Sequence, residues 1–363
     1  MKTVIKTVLW ALAILNIIVI GAMIVCAYSV YLTPFKYPNW SYLGMIMPIF
    51  LVATVIFIPV WLIIKREYCL ISIAGMALCW GSIRDYCPIN IMQGEPSGAN
   101  LKVMSYNVFS FNNYNYEDNQ TEIVNYITNS GAGIVCLQEA TKIKEQHIND
   151  ALRTFYPYIE TGNAKDINCA ILSKYPVLSC QEINLNSKSA SCCLYDVLVG
   201  ADTVKVINCH LESYKLNDED KQMYKQMIKN SNPLTDDESL DDYDVHDSFL
   251  LLGGKLAKAN SIRSLQADTI ASIIENIPNK YIIMCGDFND SPISYVHKTL
   301  TQKLKDAYTE SGNGPGLSYN RSGMYFRIDN IIISDSFNSF DAKVDKTIYE
   351  SDHYPIFCTL EMQ

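Results

Sequence analysis

Long apolar runs dominate the first part of the chain. Thr7 to Leu32 contains no charged residue, and neither does Tyr37 to Ile64. A bilayer core of ~30 Å is crossed by a helix of about 20 apolar residues, so each run is long enough to cross.

The first run could also belong to a signal peptide, because Lys2 and Lys6 precede it. The run is longer than a signal core and lacks a small-residue cleavage site, so a retained anchor is favoured.

A third apolar run, 68–83, is shorter and would measure about 24 Å as a helix. It either crosses a locally thinned bilayer or packs against the first two helices. Basic residues collect on the cytoplasmic side of a membrane. Two basic pairs flank the apolar runs: Lys2 and Lys6 precede the first run, and Lys65-Arg66 follows the second. They therefore predict that the start of the first run and the end of the second run lie inside the cell. Three crossings then place the rest of the chain outside the cytoplasm, and two leave it inside. We predict three, in the inner membrane of a bacterium.

The hydrophobic pattern changes after residue 92. Residues 93–100 have the Gly-, Pro- and Ser-rich composition of a linker. Residues 101–363, the body, alternate short apolar runs with segments of helical spacing. Strands are predicted over 101–111, 133–139, 168–173, 192–199, 204–209, 280–285, 326–334 and 354–360, with one more from Cys180. Helices are predicted over 117–129, 142–155, 215–230, 250–277 and 295–300.

These elements predict an α/β fold with two mixed β-sheets packed face to face between outer layers of helices. A helical transmembrane region precedes it over 1–92, with two or three helices at about 7–32, 40–64 and 68–83.

Charge separates the same parts of the chain. Residues 1–98 have a formal net charge of +3, and because the whole chain carries −9, the remaining residues carry −12. An acidic body is poorly suited to holding polyphosphate backbones by bulk charge. Cysteine is frequent, but the body contains no CxxC pair, which argues against a zinc ribbon.

Polar residues stand where several predicted strands end and loops begin, which is where rigid scaffolds place catalytic groups. They are Asn107, Glu139, His210, Asp287, Asn289, Asp329, Asp352 and His353. Oxygen ligands dominate this set, which suits Mg²⁺ or Mn²⁺ rather than zinc. A histidine held by a carboxylate is poised near neutral pH to take a proton from water.

Each of these motifs alone is typical of an ordinary turn, but their joint occurrence is specific. SYNVFSF, LQEA, NCHLES, GDFND, RIDNIIIS and SDHYPIF, in this order, resemble the motifs of the endonuclease/exonuclease/phosphatase superfamily. The resemblance covers about residues 101–361 and none of the apolar region. It implies a four-layered α/β sandwich and cleavage of phosphoester bonds with a divalent metal, usually Mg²⁺, here in a membrane-anchored, bacterial-type member.

The resemblance implies a metal site at one side of the cluster. Glu139 would be the principal ligand of Mg²⁺ or Mn²⁺, with Asn107 beside it, and Asp352 would complete the metal side. The ion would neutralise charge on the phosphorus while water attacks in line with the leaving oxygen.

The resemblance also implies roles in proton transfer and phosphate binding. His353 would be the base or would face the phosphate, oriented by Asp329, and Asp287 would align or activate water. Asn289 would hold a phosphate oxygen, and His210 would donate to the scissile phosphate. The sequence leaves open whether Asp287 or His353 takes the proton.

Two further places are weaker candidates for substrate binding. The Gly-rich segment 312–319, which ends in Ser318 and Tyr319, either offers backbone N–H groups to phosphate or is a flexible turn. Arg263 and Gln266 follow a long insertion, 215–258, and either contact substrate, as in similar bacterial members, or stabilise their helix.

The predicted substrate class follows from the attachment of the body to a membrane more than from any sequence motif. The body has four arginines and no basic stripe, so nucleic acid is disfavoured. A loop with Tyr114 and Tyr116 would reach a bilayer or stack on a base or sugar. We predict a membrane-anchored phosphodiesterase or phosphatase that acts on a small or lipid-borne phosphoester. The alternatives are an anchored nuclease acting on DNA or RNA and an inactive binding module of the same fold.

Overall fold

The computed structural model describes residues 2–91, 94–98, 100–112, 119–162, 168–216, 220, 242–278, 280–321 and 325–363. The predicted tyrosine loop at Tyr114 and Tyr116 lies outside these residues, as does most of the insertion after Lys215.

Twelve strands are formed by the described residues of the body. They are β1 (Asn100–Asn107), β2 (Ile134–Gln138), β3 (Tyr158–Thr161), β4 (Ala170–Ser173), β5 (Val177–Glu182), β6 (Ser191–Val199), β7 (Asp202–His210), β8 (Ile282–Asp287), β9 (Lys305–Asp306), β10 (Asp329–Ile333), β11 (Phe337–Val344) and β12 (Ile356–Met362). The first sheet has the order β11-β12-β1-β2-β4-β3, and the second has the order β5-β6-β7-β8-β10-β9. Both sheets mix parallel and antiparallel pairs, as predicted.

The helices of the described residues divide into four amino-terminal ones and five in the body. The amino-terminal helices are α1 (Lys2–Tyr28), α2 (Met47–Ile64), α3 (Cys69–Leu78) and α4 (Trp80–Tyr86). Those of the body are α5 (Gln120–Asn129), α6 (Gln146–Arg153), α7 (Asp242–Asn276), α8 (Tyr295–Leu300) and α9 (Ala307–Ser311).

Three apolar layers hold the body together. The central layer lies between the two sheets and takes residues such as Val103 and Ile134 from one and Val206 and Ile283 from the other. An outer layer joins the first sheet to α5 and α6, and another joins the second sheet to α7 and α8. Because both faces of each sheet are covered, central strands such as β2 are buried along their whole length. The predicted sandwich of two sheets between helices is confirmed.

The amino-terminal helices form an up-down-up bundle. Ala13 of α1 and Trp61 of α2 share a cluster with Cys69, the first residue of α3. Asn16 of α1 donates to Ser72 of α3 at 3.0 Å, and farther along both helices the Tyr28 hydroxyl donates to the Leu78 carbonyl at 3.1 Å. α3 therefore runs parallel to α1 and antiparallel to α2.

Lys6–Tyr31 and Pro38–Ile64 are long and apolar enough to cross a membrane, judged by length and composition. The apolar run at 68–83 is divided into α3 and α4 at Cys79, whose φ of −102° and ψ of 11° leave the helical range.

The end of the bundle that holds the carboxyl end of α1 rests on the body. Residues 32–46, which we call the α1–α2 segment, contact α7: Asn260 donates to the Ser41 hydroxyl at 2.8 Å, and Ser261 donates to the Pro34 carbonyl at 3.1 Å. Arg84 of α4 forms an ion pair with Glu310 at 2.7 Å. Both the α1–α2 segment and α4 therefore meet the body at the same end of the bundle.

Candidate active site

Strand register brings three predicted site residues side by side. His210 ends β7 and pairs with Asp287 at the end of β8, and Asp329 at the start of β10 pairs with the same Asp287. Gly286 makes the first pairing possible, because a Cβ at this position would lie 2.1 Å from the Cys209 carbonyl oxygen. The glycine of the GDFND motif thus lets β7 and β8 approach at the level of the site.

The other sheet supplies Asn107 and Glu139. Asn107 ends β1, paired with Gln138 of the parallel strand β2, and Glu139 follows directly. The Asn107 Nδ2 donates to Glu139 Oε1 at 3.0 Å and to Asp287 Oδ2 at 3.1 Å, so one amide joins carboxylates from the two sheets. Its Oδ1 accepts from the Phe109 backbone N–H at 3.1 Å.

His353 is held in a buried pair with Asp329. Its Nδ1 lies 2.8 Å from Asp329 Oδ2, and its Nε2 lies 3.6 Å from Asp287 Oδ2. Burial alone would lower the pKa of the imidazole, but the negative charges of Asp329 and Asp287 outweigh it and hold the pKa of His353 well above its usual value. The pair therefore positions the ring and favours its charged form.

His210 and Asn289 face the same carboxylates. His210 Nε2 lies 3.6 Å from Glu139 Oε1 and 3.7 Å from Asp287 Oδ2. The backbone N–H of Asn289 donates to Asp287 Oδ1 at 2.8 Å, and its side-chain amide donates to the Leu211 carbonyl at 3.0 Å. Nitrogen groups from four segments thus face Asp287, those of Asn107, His210, Asn289 and His353.

The predicted residues converge on one cavity of about 250 Å³. Those lining it are Glu139, His210, Asp287, Asn289, Asp352 and His353. Asn107 and Asp329 lie directly behind this lining, in hydrogen-bond contact with it. Asp352 Oδ2 lies 3.5 Å from Arg321 Nη1 at the edge of the cluster.

The charges of the cluster suit a cation. Burial raises the pKa of Asp287, the nearby charge of Asp329 raises it further, and the two imidazoles oppose this. Asp287, Asp329 and His353 each offer a ligand atom within 4.8 Å of the others. Carboxylates dominate, and Glu139 is the most accessible of the group, with 29% of its side chain exposed against 1% for Asp287. An oxygen-rich, acidic donor set of this kind fits a hard divalent ion.

The weaker candidates have different positions. Tyr319 lines the cavity, with its ring 5.1 Å from that of His353. The Ser318 hydroxyl instead accepts from the backbone N–H groups of Ile328 and Asp329, each at 3.1 Å, and so fixes the start of β10.

Arg263 lies behind the cavity wall. Its guanidinium stacks on the Tyr214 ring at 4.1 Å and its Nε lies 3.6 Å from Asp290 Oδ2, and both Tyr214 and Asp290 line the cavity. Gln266 accepts from the backbone N–H of Glu212 at 3.0 Å. Both side chains thus shape the wall through its other residues.

The Gly-rich segment 312–319 faces the chain that leads out of α4. Asn90 donates to the Gly312 carbonyl at 2.7 Å, and the Gly314 N–H donates to the Pro88 carbonyl at 2.9 Å. These backbone groups are therefore used to attach the amino-terminal part of the chain to the body.

The sequence analysis missed several apolar residues of the cavity. They are Met45, Phe109, Leu216, Leu256, Phe326 and Ile328. Phe109 and Ile328 stand within the SYNVFSF and RIDNIIIS motifs, but as apolar residues they did not signal chemistry. The other four lie outside every motif, and Met45 is distant in sequence from all of them. Only the packing of the α1–α2 segment on the body brings it to the cavity.

Comparison with known proteins gives one assignment for each part of the chain. A domain of unknown function (DUF8431) matches residues 6–86, and the endonuclease/exonuclease/phosphatase family matches residues 104–353. No curated protein sequence matches the chain.

Two solved structures are among those that resemble this one. An endonuclease/exonuclease/phosphatase from Beutenbergia cavernae has a TM-score of 0.52 at 15% identity, covering 73% of this chain and 72% of its own. A humanized D. rerio TDP2 has a TM-score of 0.50 at 15% identity, covering 73% of this chain and 100% of its own. At this identity the likeness shows a shared fold. Because the family match spans more than half of the sequence and agrees with the observed sheets, the chain belongs to the endonuclease/exonuclease/phosphatase family.

Proposed function

We propose that the protein is a membrane-anchored, divalent-metal-dependent phosphoester hydrolase, in which an activated water attacks phosphorus in line with the leaving oxygen. The observation that supports this best is the meeting of His210, Asp287 and Asp329 from one sheet with Asn107 and Glu139 from the other, around one cavity. An inactive binding module is disfavoured, since such a protein has no need to keep the whole set of acidic and imidazole groups together.

The proposed metal ligands are Glu139, Asn107 and Asp352, and the ion would be Mg²⁺ or Mn²⁺. When bound, the ion would withdraw negative charge from the phosphate oxygens. Asn107 presents its Nδ2 to Glu139 and Asp287, so in the observed orientation it holds these carboxylates together. It would ligate through Oδ1 once the amide turns away from the Phe109 N–H.

The chain's own groups would handle water and phosphate. Asp287 Oδ2 and His353 Nε2 lie 3.6 Å apart at the cavity, and one of these two groups would take the proton of the attacking water. Asp329 fixes the His353 ring through Nδ1 and leaves Nε2 facing the cavity. His210 Nε2 and the Asn289 side chain would donate to phosphate oxygens.

A generic diester tests this function. The purified protein should hydrolyse bis(4-nitrophenyl) phosphate with Mg²⁺ or Mn²⁺, and EDTA should abolish turnover until the ion is restored. Plasmid DNA, RNA and phosphomonoesters serve as the other arms. Turnover that EDTA does not affect would contradict a metal-dependent mechanism, and faster turnover of nucleic acid than of every other substrate would favour the nuclease alternative.

We also propose that α1, α2 and the α3–α4 pair cross the inner membrane of a bacterium. Only 22% and 17% of the two most apolar windows are buried by the protein, which is unlike the core helices of a soluble domain. The α3–α4 pair begins beside Trp61, at the end of the bundle farthest from the body, and ends on the body. The 10 residues of α3 and the 7 residues of α4 together give about 26 Å of helix.

This arrangement predicts that the body is outside the cytoplasm. Lys2, Lys6 and Lys65-Arg66 are all at the end of the bundle opposite the body, and basic residues stay inside. An alkaline phosphatase fused after Gln363 should be active, and a fluorescent protein fused there should be dark. Fusions after Arg66 are the matched control and should behave in the opposite way. A fluorescent fusion after Gln363 would mean that the α3–α4 pair does not cross.

A further inference from the structure

The α1–α2 segment forms part of the wall of the active-site cavity. Met45 lines this cavity together with Glu139, Asp287 and His353. The Tyr214 hydroxyl, on another wall, lies 3.7 Å from the Met45 sulfur. A residue from an apolar stretch long enough to cross a membrane, Pro38–Ile64, thus lies within reach of the catalytic cluster.

The segment is held closely at this position. A Cβ on Gly44 would lie 1.8 Å from the Ile293 carbonyl oxygen, so the backbone before Met45 is pressed against the loop that follows the GDFND motif. The contacts of Ser41 and Pro34 with α7 hold the segment at two other points. Met45 therefore belongs to a fixed wall.

The lining of the cavity is chemically mixed. It combines the catalytic cluster with the apolar side chains of Met45, Phe109, Leu216, Leu256, Phe326 and Ile328. A volume of about 250 Å³ suits a phosphate with a small substituent and is too small for a diacyl lipid. A lining that joins a charged cluster to apolar side chains suits a ligand whose phosphate continues into an apolar part.

Exposed apolar side chains occur on the α1–α2 segment and on α7, which are in contact with each other. On the α1–α2 segment, Phe35 is 67% exposed and Trp40 is 51% exposed. On α7, Leu250 and Leu251 are more than half exposed, close to Gly253, where a Cβ would lie 3.5 Å from the Tyr42 hydroxyl. Aromatic residues at the end of a membrane span are typical of the lipid–water interface. Phe35 lies between the two candidate spans and Trp40 lies near the start of the second, so their exposed apolar surface fits contact with the bilayer itself.

We propose that the active site takes its substrate from the surrounding bilayer, and that this substrate is a phosphodiester lipid whose head group enters the cavity past Met45 while its acyl chains stay in the membrane. This rests on the proposed phosphoesterase function and on the membrane crossing of α1 and α2. In the reaction, one water forms a new P–O bond and one ester P–O bond breaks. The proton from water goes to the departing oxygen, giving a phosphomonoester and an alcohol. Anchoring beside the substrate raises its effective concentration at the site.

The test uses the full chain in vesicles of phosphatidylcholine, phosphatidylethanolamine and phosphatidylglycerol in equal parts, with Mg²⁺. Phosphomonoester and lipid products are measured, and bis(4-nitrophenyl) phosphate is added to parallel samples as a soluble substrate. We expect turnover of at least one phospholipid. Met45→Lys should lower the lipid rate at least about tenfold more than the soluble rate, because a charge on the apolar wall obstructs the lipid path.

Two controls accompany this variant. Leu178→Lys places the same charge on an exposed apolar residue of β5 that does not line the cavity, and it should leave both rates unchanged. Met45→Leu keeps the wall apolar and should retain the lipid rate, which shows that a loss in Met45→Lys comes from the charge.

The outcomes separate this inference from the function on which it rests. Hydrolysis of the soluble diester without hydrolysis of any phospholipid would overturn the lipid substrate and leave the phosphoesterase standing. Equal loss of both rates in Met45→Lys would overturn the role of the α1–α2 segment as a lipid path. A protein that cleaves neither of these diesters, nor any phosphomonoester, would overturn the phosphoesterase function, and with it the inference.

Discussion

Replacing Glu139 with glutamine should lower metal-dependent turnover of a phosphodiester by at least about 100-fold, a loss of the size seen when one preorganised electrostatic group is removed. Glutamine keeps the length of the side chain and an oxygen that can accept from Asn107 Nδ2, so the local geometry is preserved. It removes the negative charge of the most accessible carboxylate in the cluster. Metal affinity, measured by titration with Mn²⁺, should fall together with kcat.

Stability should not fall with activity in this variant. Glu139 lies among other carboxylates, so neutralising it removes repulsion in the metal-free protein, and its side chain is not part of an apolar layer. Glu160→Gln makes the same change on an exposed residue of β3 in the same sheet and should leave turnover, Mn²⁺ affinity and Tm unchanged. Full activity of Glu139→Gln at an ordinary Mg²⁺ concentration would show that the ion binds elsewhere.

The central strands and the polar residues at their ends were predictable from the sequence for one physical reason. Strands covered on both faces need continuous apolar runs, such as IVCLQ in β2 and IIMCGD in β8. A polar residue that ends such a run is conspicuous. Since neighbouring strands end at the same edge of a sheet, residues such as His210 and Asp287 come together without long-range information.

The elements that the sequence analysis missed are strands at the edges of the sheets. β3 and β11 bound the first sheet, and β9 bounds the second. An edge strand is partly solvated, so its sequence lacks a continuous apolar run. β11 (FNSFDAKV) also has a register shift between Phe340 and Lys343, with a φ of 50° at Asp341, which breaks its alternation.

The predicted helices also differ from those observed in their limits. The helix expected over 142–155 is reduced to α6, after a short 3₁₀ turn at Thr141–Lys144. The helix expected from 250 begins earlier, at Asp242.

Local conformation and long-range packing explain what the sequence could not indicate about the site. Glu139 and Asn289 both have a φ of 51°, a conformation that non-glycine residues rarely adopt and that is held by the surrounding structure at functional sites. No sequence pattern signals this conformation. The contribution of Met45 depends on contacts between segments far apart in the chain, such as that of Gly44 with Ile293.

Asp329→Asn and His353→Ala should each lower kcat by on the order of 100-fold or more, the scale of general acid–base catalysis. The two side chains are joined by one buried contact of 2.8 Å, so removing either partner removes the same oriented imidazole. The double variant should therefore be little worse than the worse single variant. The measurement is kcat for a soluble diester at saturating Mg²⁺ in the four proteins. Asp335 follows β10 and is exposed, so Asp335→Asn is the control for the loss of one carboxylate outside the site.

The pH profile gives a second, independent measure of the same pair. Burial would lower the pKa of His353, and the charges of Asp329 and Asp287 raise it well above the usual value. Asp329→Asn removes one of these charges, so the limb of the kcat profile that reflects His353 should move to lower pH, and in His353→Ala it should disappear.

The limb that moves identifies the role of His353. If it is the acidic limb, His353 acts in its neutral form as the base. If it is the alkaline one, His353 acts as a cation on the phosphate, and Asp287 takes the proton. Losses that multiply in the double variant, with no movement of either limb, would show that Asp329 acts apart from His353. The role of Asp329 would then be to fix the start of β10, where the Ser318 hydroxyl accepts from the Asp329 backbone N–H.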